Sequence, residues 1–110
     1  MRPEKEREIL EAALETYGAE AQTRMLFEEM AELQKAMCKY ARAEDERRKK
    51  LSRENIAEEI ADVQIMLEQM ILLHDCEEQV RDCRTLKIFR LGSRLDMKKK
   101  EEEGPWKSTS

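Results

Sequence analysis

Apolar residues recur three and four positions apart along most of this chain, the spacing of one face of an α-helix. Pro3 suits a first helical turn, and Ile9, Leu10, Ala13, Leu14 and Tyr17 keep helical spacing up to Gly18, where a C-terminal cap is expected. A helix over about residues 3 to 17 follows. From Ala19 to the mid-forties, Met25, Leu26, Met30, Leu33, Met37 and Tyr40 trace one apolar stripe and predict a second helix. The run from Glu44 to Lys50 has no apolar residue to anchor it and reads as a frayed end or solvated connection. Ser52 is then the expected N-cap of a third helix, with Leu51 and Ile56 placed as a hydrophobic staple. Its core face would be Ile56, Ile60, Val63, Leu67, Met70 and Ile71, ending near His74. A fourth helix is predicted from Glu77 to about Lys100 through Val80, Leu86, Phe89 and Leu95, with Gly92 a point where it could break. Residues 104–110 read as an unstructured tail.

Three glycines and two prolines leave little punctuation for a many-stranded sheet, so the expected fold is all-α: a four-helix bundle in one domain over residues 1–103. Helices of this length are marginal alone, and seven methionines with scattered leucines make a small core, so assembly as a homodimer or homotetramer is expected. The formal net charge of −4 argues against a polynucleotide partner, which calls for a strongly basic face. No apolar run is long enough to cross a membrane, and the charged start of the chain lacks a signal-type apolar segment, so a cytoplasmic location is expected. Cys38, Cys76 and Cys83 are odd in number and lack C-x-x-C spacing, which reads as reduced, structural thiols.

One feature does not fit a plain bundle. Glu28-Glu29-Met30-Ala31-Glu32-Leu33-Gln34 is echoed thirty residues later by Glu58-Glu59-Ile60-Ala61-Asp62-Val63-Gln64, identical at the two leading Glu, the Ala and the Gln. At about 100° per residue, with Leu26 and Ile56 as zero, Glu29 and Glu59 both fall near 300°, and Glu32 and Asp62 both near 240°. Glu29 and Glu59 thus lie on the apolar side of their helices, whereas Glu28 and Glu58, near 200°, lie beyond it. Carboxylates at i and i+3 commonly belong to a solvated face, but two copies at matching offsets ask for a cation. Lys and Arg mostly occupy other faces of these helices. A hard divalent ion can bind several carboxylate oxygens at once, and Mg²⁺, with Mn²⁺ as a substitute, is the natural choice. Zinc would more often use His or Cys, and a carboxylate-bridged di-iron bundle would add Glu-x-x-His pairs, yet His74 is the only histidine. An antiparallel pairing of helices 2 and 3 could bring the four carboxylates to one level, provided the charged connection folds back partway.

These segments resemble the all-α nucleoside triphosphate pyrophosphohydrolases of the MazG-like superfamily, whose signature is E-E-x-x-E followed by E-x-x-D. Glu28, Glu29 and Glu32 match the first part, and Glu59 and Asp62 the second. The similarity runs from Tyr17-Gly18 and Gln22 to a K-x-x-R element at Lys87 and Arg90. It implies Mg²⁺-dependent hydrolysis of a nucleoside triphosphate between the α and β phosphates, giving a nucleoside monophosphate and pyrophosphate. Glu29, Glu32, Glu59 and Asp62 would be metal ligands, and Glu28 a further ligand or a water-orienting base. Lys87 and Arg90 would meet the phosphates. Thr85 stands where related sequences often carry Asn, which departs from the family pattern for sugar or base recognition.

By residue chemistry alone, Lys87, Arg90 and Arg94 read as a solvated basic stripe, and the resemblance reverses that for Lys87 and Arg90. Arg47 to Lys50 could screen a triphosphate but reads as solvated, His74 as a capping or surface residue, and Trp106 as part of a mobile tail. Two other functions stay open: a catalytically inactive interaction or regulatory protein of the same fold, and a related enzyme acting on a phosphoribosyl-nucleotide or a deoxyuridine nucleotide.

Overall fold

A computed structural model of the chain describes residues 1–107, with side chains through Glu103. Helix α1 (Pro3–Tyr17) starts on proline, whose missing N–H is one a helix start leaves unpaired anyway. It stops at Gly18, whose φ of 92° is open to glycine at little cost. The Gly18 N–H closes α1 on the Leu14 carbonyl at 2.9 Å, and its own carbonyl accepts from Gln22 N at 3.1 Å, so one residue both ends α1 and starts α2 (Ala19–Arg42).

Helix α3 (Glu46–Leu73) begins earlier than Ser52. The Asp45 side chain accepts a hydrogen bond from Arg48 N at 2.8 Å and the Arg48 guanidinium lies 3.5 Å from the same carboxylate, so Asp45 caps the helix. Glu, Arg and Lys are strong helix formers, and the charged run that lacks an apolar face becomes the first turns of α3. Ser52 is a buried residue inside the helix, and Leu51 is exposed rather than stapled. Helix α4 (Glu77–Lys107) passes through Gly92 without a break. The expected tail begins at Gly104; Ser108 to Ser110 lie outside the described residues, and so do the side chains from 104 onward.

All four elements are α-helices, and there is no strand among the described residues. The chain divides into two compact units, residues 1–75 with α1 to α3, and α4 from Cys76 onward. Within the first unit α2 and α3 form the most extensive pairing, an antiparallel hairpin across Ala43 to Asp45, and α1 lies against both.

The seam between α2 and α3 differs from the apolar stripe. Its buried residues are Gln22 and Ala36 on α2 and Ser52, Met66 and Gln69 on α3. On the same helical wheel these fall between about 220° and 320°, centred where Glu29 and Glu59 lie. The expected core positions Met25, Met30, Met37, Ile60 and Leu67 are between 39% and 57% exposed. Val80, Leu86, Phe89 and Leu95 on α4 are exposed too, as are the Cys38 and Cys83 thiols. No helix among the described residues is long and apolar enough to cross a membrane.

Register is set inside the seam. The Gln22 Nε2 donates to the Gln69 Oε1 at 2.7 Å, and both side chains are buried. Seven residues farther along α2, about 10.5 Å, stands Glu29; seven residues back along α3 stands Asp62. The same register sets Glu32 opposite Glu59. Because α3 starts at Glu46, its arm before Glu59 is long enough to accompany α2 to its end, and no fold-back of the connection is needed.

Removing the Asp45 cap should cost about 1 kcal/mol. Asp45→Ala is expected to lower the urea midpoint at an unchanged denaturant slope and to speed amide exchange in residues 46–50. Unaltered exchange there would place the start of α3 elsewhere.

Candidate metal centre

Glu29 from α2 and Glu59 and Asp62 from α3 each offer a carboxylate oxygen, and these oxygens lie within 4.8 Å of one another. The convergence follows from two facts already given: their helical offsets are equal, and the hairpin register sets the motifs at one level. Glu29 and Glu59 are half-buried and Asp62 is exposed. The Glu59 Oε2 atom is buried and has no hydrogen-bond partner among the described residues. An anionic oxygen taken from water without replacement is costly, and it is the kind of atom a cation satisfies.

Arg24 pairs with Glu20 at 2.7 Å, Arg48 with Asp45 at 3.5 Å, and Arg53 lies against Tyr40, so these three guanidinium groups are engaged locally. Burial raises the Glu29 carboxyl above its ordinary value of 4.5, followed by the charges of Asp62 and Glu59, a hydrogen bond to Asp62 that only protonated Glu29 can donate, and the charge of Glu32. Glu59 is raised first by burial, then by the charges of Asp62, Glu32 and Glu58. Glu32 is exposed and outside the group of three mutually close oxygens, yet its field reaches both half-buried members. Glu28 and Glu58 are exposed, as their position beyond the stripe predicts. Three convergent carboxylates with an unsatisfied oxygen match a hard cation such as Mg²⁺ or Mn²⁺, and the donor set contains neither imidazole nor thiolate. His74 is exposed at the C-cap of α3.

Lys87 and Arg90 are exposed on α4 in the second unit, one turn apart on one face. The Arg94 Nε folds back to donate to the Arg90 carbonyl at 3.5 Å, and the Thr85 hydroxyl donates to the Arg81 carbonyl at 3.0 Å within the same helix. Trp106 lies among the side chains that are not described.

Residues that the periodicity passed over include the Gln22–Gln69 pair and a cleft at the hairpin turn lined by Lys39, Arg42, Arg48, Ser52 and Asn55. A signal for the second was present, since Lys39 follows Glu32 by seven residues and Asn55 precedes Glu59 by four, both same-face spacings. Comparison with family models, characterised proteins and solved structures finds no match.

The raised carboxyls link stability to pH. The folded chain holds protons on Glu29 and Glu59 where the unfolded chain, with carboxyls near 4.5, has released them. Stability of the metal-free chain therefore falls as pH rises from that value through the raised folded values. In EDTA the thermal midpoint should decline as pH rises above about 4.5, and Glu59→Gln should flatten the decline and raise the neutral-pH midpoint by a few degrees. Millimolar Mg²⁺ should raise the midpoint of the parent and not of the variant, because only the folded parent binds it. Equal pH slopes and equal Mg²⁺ responses in the two proteins would count against a shared acidic centre.

Proposed function

We propose that this protein is a Mg²⁺-dependent nucleoside triphosphate pyrophosphohydrolase that cleaves between the α and β phosphates, releasing a nucleoside monophosphate and pyrophosphate. The observation that carries this reading is the buried, unpartnered Glu59 Oε2, set among carboxylates of two helices that repel one another until a cation joins them. The order of the acidic motifs and the K-x-x-R element, similar to MazG-like enzymes, supply the substrate class.

Glu29, Glu59 and Asp62 hold the metal, with Glu32, opposite Glu59 in the register, completing its acidic side. When bound, Mg²⁺ neutralises phosphate charge and makes a water nucleophilic near neutral pH. Glu28, exposed at the rim beside Glu29, orients that water or accepts its proton. Lys87 and Arg90, on one face of α4, are the pair that the resemblance assigns to phosphate oxygens. The half-exposed stripe of Met25, Met30, Met37 and Ile60 is apolar surface that a second copy would cover, so the working form is a homodimer or homotetramer.

Purified protein with Mg²⁺ should release pyrophosphate from at least one member of a panel of canonical, deoxy and modified triphosphates. Glu59→Gln and Asp62→Asn should each lower kcat by about a hundredfold or more with helicity retained, while Lys87→Ala raises KM more than it lowers kcat. Absence of pyrophosphate across the panel would end the enzymatic reading. Light scattering should give a mass at least twice that of the 13.1 kDa chain.

A further inference from the structure

At the turn of the α2–α3 hairpin, Lys39 and Arg42 of α2 face Arg48, Ser52 and Asn55 of α3 across a cleft of about 600 Å³. Arg48 is already held by Asp45, but the side chains of Lys39 and Arg42 make no ion pair and no hydrogen bond among the described residues. Two unneutralised cations and a neutral amide thus line one open recess, with the buried Ser52 in its wall.

The recess continues the acidic centre. Asn55 is one helical turn, about 6 Å, from Glu59, and Lys39 is two turns, about 10.5 Å, from Glu32. Arg48 and Asn55 fall at about 280° and 260° on the α3 wheel, beside Glu59 near 300°, and Lys39 falls at about 220° on α2, beside Glu32. One side of the hairpin therefore runs from carboxylates in its middle to uncommitted cations at its turn. In the other direction from the centre the seam offers the neutral Gln22–Gln69 pair, and the nearest guanidinium, Arg24, is spent on Glu20.

We propose that this turn-end cleft binds the terminal phosphates of the triphosphate, with Lys39 and Arg42 as its principal donors and Asn55 joining it to the acidic centre. The inference rests on the pyrophosphohydrolase reading and adds a direction to it: the β and γ phosphates point toward the hairpin turn, and pyrophosphate leaves from that end. Lys and Arg suit the task because a phosphate chain offers several acceptor oxygens to a forked guanidinium and a mobile ammonium.

Inorganic pyrophosphate, titrated calorimetrically into the full chain, tests the cleft apart from catalysis. The double variant Lys39→Ala/Arg42→Ala should bind pyrophosphate about tenfold or more weakly and show a KM raised by a similar factor, while Mn²⁺ binding followed by electron paramagnetic resonance stays at the parent value. A charge-matched control, Lys98→Ala/Lys99→Ala on α4, should leave all three unchanged. The cleft is refuted if the parent binds no pyrophosphate, if the double variant binds it undiminished, or if the control loses as much. Pyrophosphate bound through Lys39 and Arg42 in a protein that hydrolyses no triphosphate upholds the cleft and removes the enzyme. Hydrolysis with an unchanged KM in the double variant upholds the enzyme and removes the cleft.

Discussion

Two carboxylates on facing turns of α2 and α3 stand where a helical hairpin ordinarily places leucine. Burial and mutual repulsion act in the same direction on Glu29 and Glu59, raising both above the usual carboxylate range, and one oxygen of Glu59 is left inside the protein without a donor. Among the described residues no ion pair relieves that arrangement, and the guanidinium groups of Arg24 and Arg48 are spent on the acids beside them. Much else in the first unit can be read as what is needed to hold these groups together. The register must be right to within a residue, the helices must meet through small or polar side chains at that level, and apolar residues must give up the seam.

Where elements begin and end was legible wherever the cause was local. Pro3 and Gly18 mark α1 because one lacks a donor and the other tolerates φ of 92°, both properties of the residue alone. The carboxylate pairing was legible for a similar reason, since equal angular offsets on two helices survive any choice of partner. The start of α3 was not, because hydrophobic periodicity has nothing to count in a run of Glu, Arg and Lys. There helix propensity and one Asp45 cap decided the outcome. Nor was the seam's direction legible. Periodicity locates an apolar face but does not say whether its centre or its flank meets the neighbouring helix, and here it is the flank carrying Glu29 and Glu59, leaving Met30 and Ile60 more than 40% exposed.

That displacement explains how so small a buried core coexists with so much apolar surface. Ala36 and Met66 are the only buried apolar residues among those described, while the stripes of α2 and α3 remain half open. A hairpin closed on its stripes would bury more apolar area, by the usual scaling of burial with stability, and would turn the acidic motifs toward water on its flanks. The observed rotation gives up part of that burial and brings carboxylates from two helices within reach of one ion.

A seam of this kind needs a device against slipping, because acidic side chains that repel one another favour any register that separates them. Apolar contacts are poor at this, since a stripe of Met, Leu and Ile packs nearly as well one turn along. The buried Gln22–Gln69 hydrogen bond is not so forgiving: a slip leaves two amides unpaired inside the protein, at about 1 to 3 kcal/mol for each unsatisfied group. The pair lies two turns from Glu29 and Asp62 on the side away from the hairpin turn, while Asp45 fixes where α3 begins after the turn. The acidic centre is therefore held in register from one side by a buried polar lock, and the alignment that pairs Gln22 with Gln69 brings Glu29, Glu59 and Asp62 together.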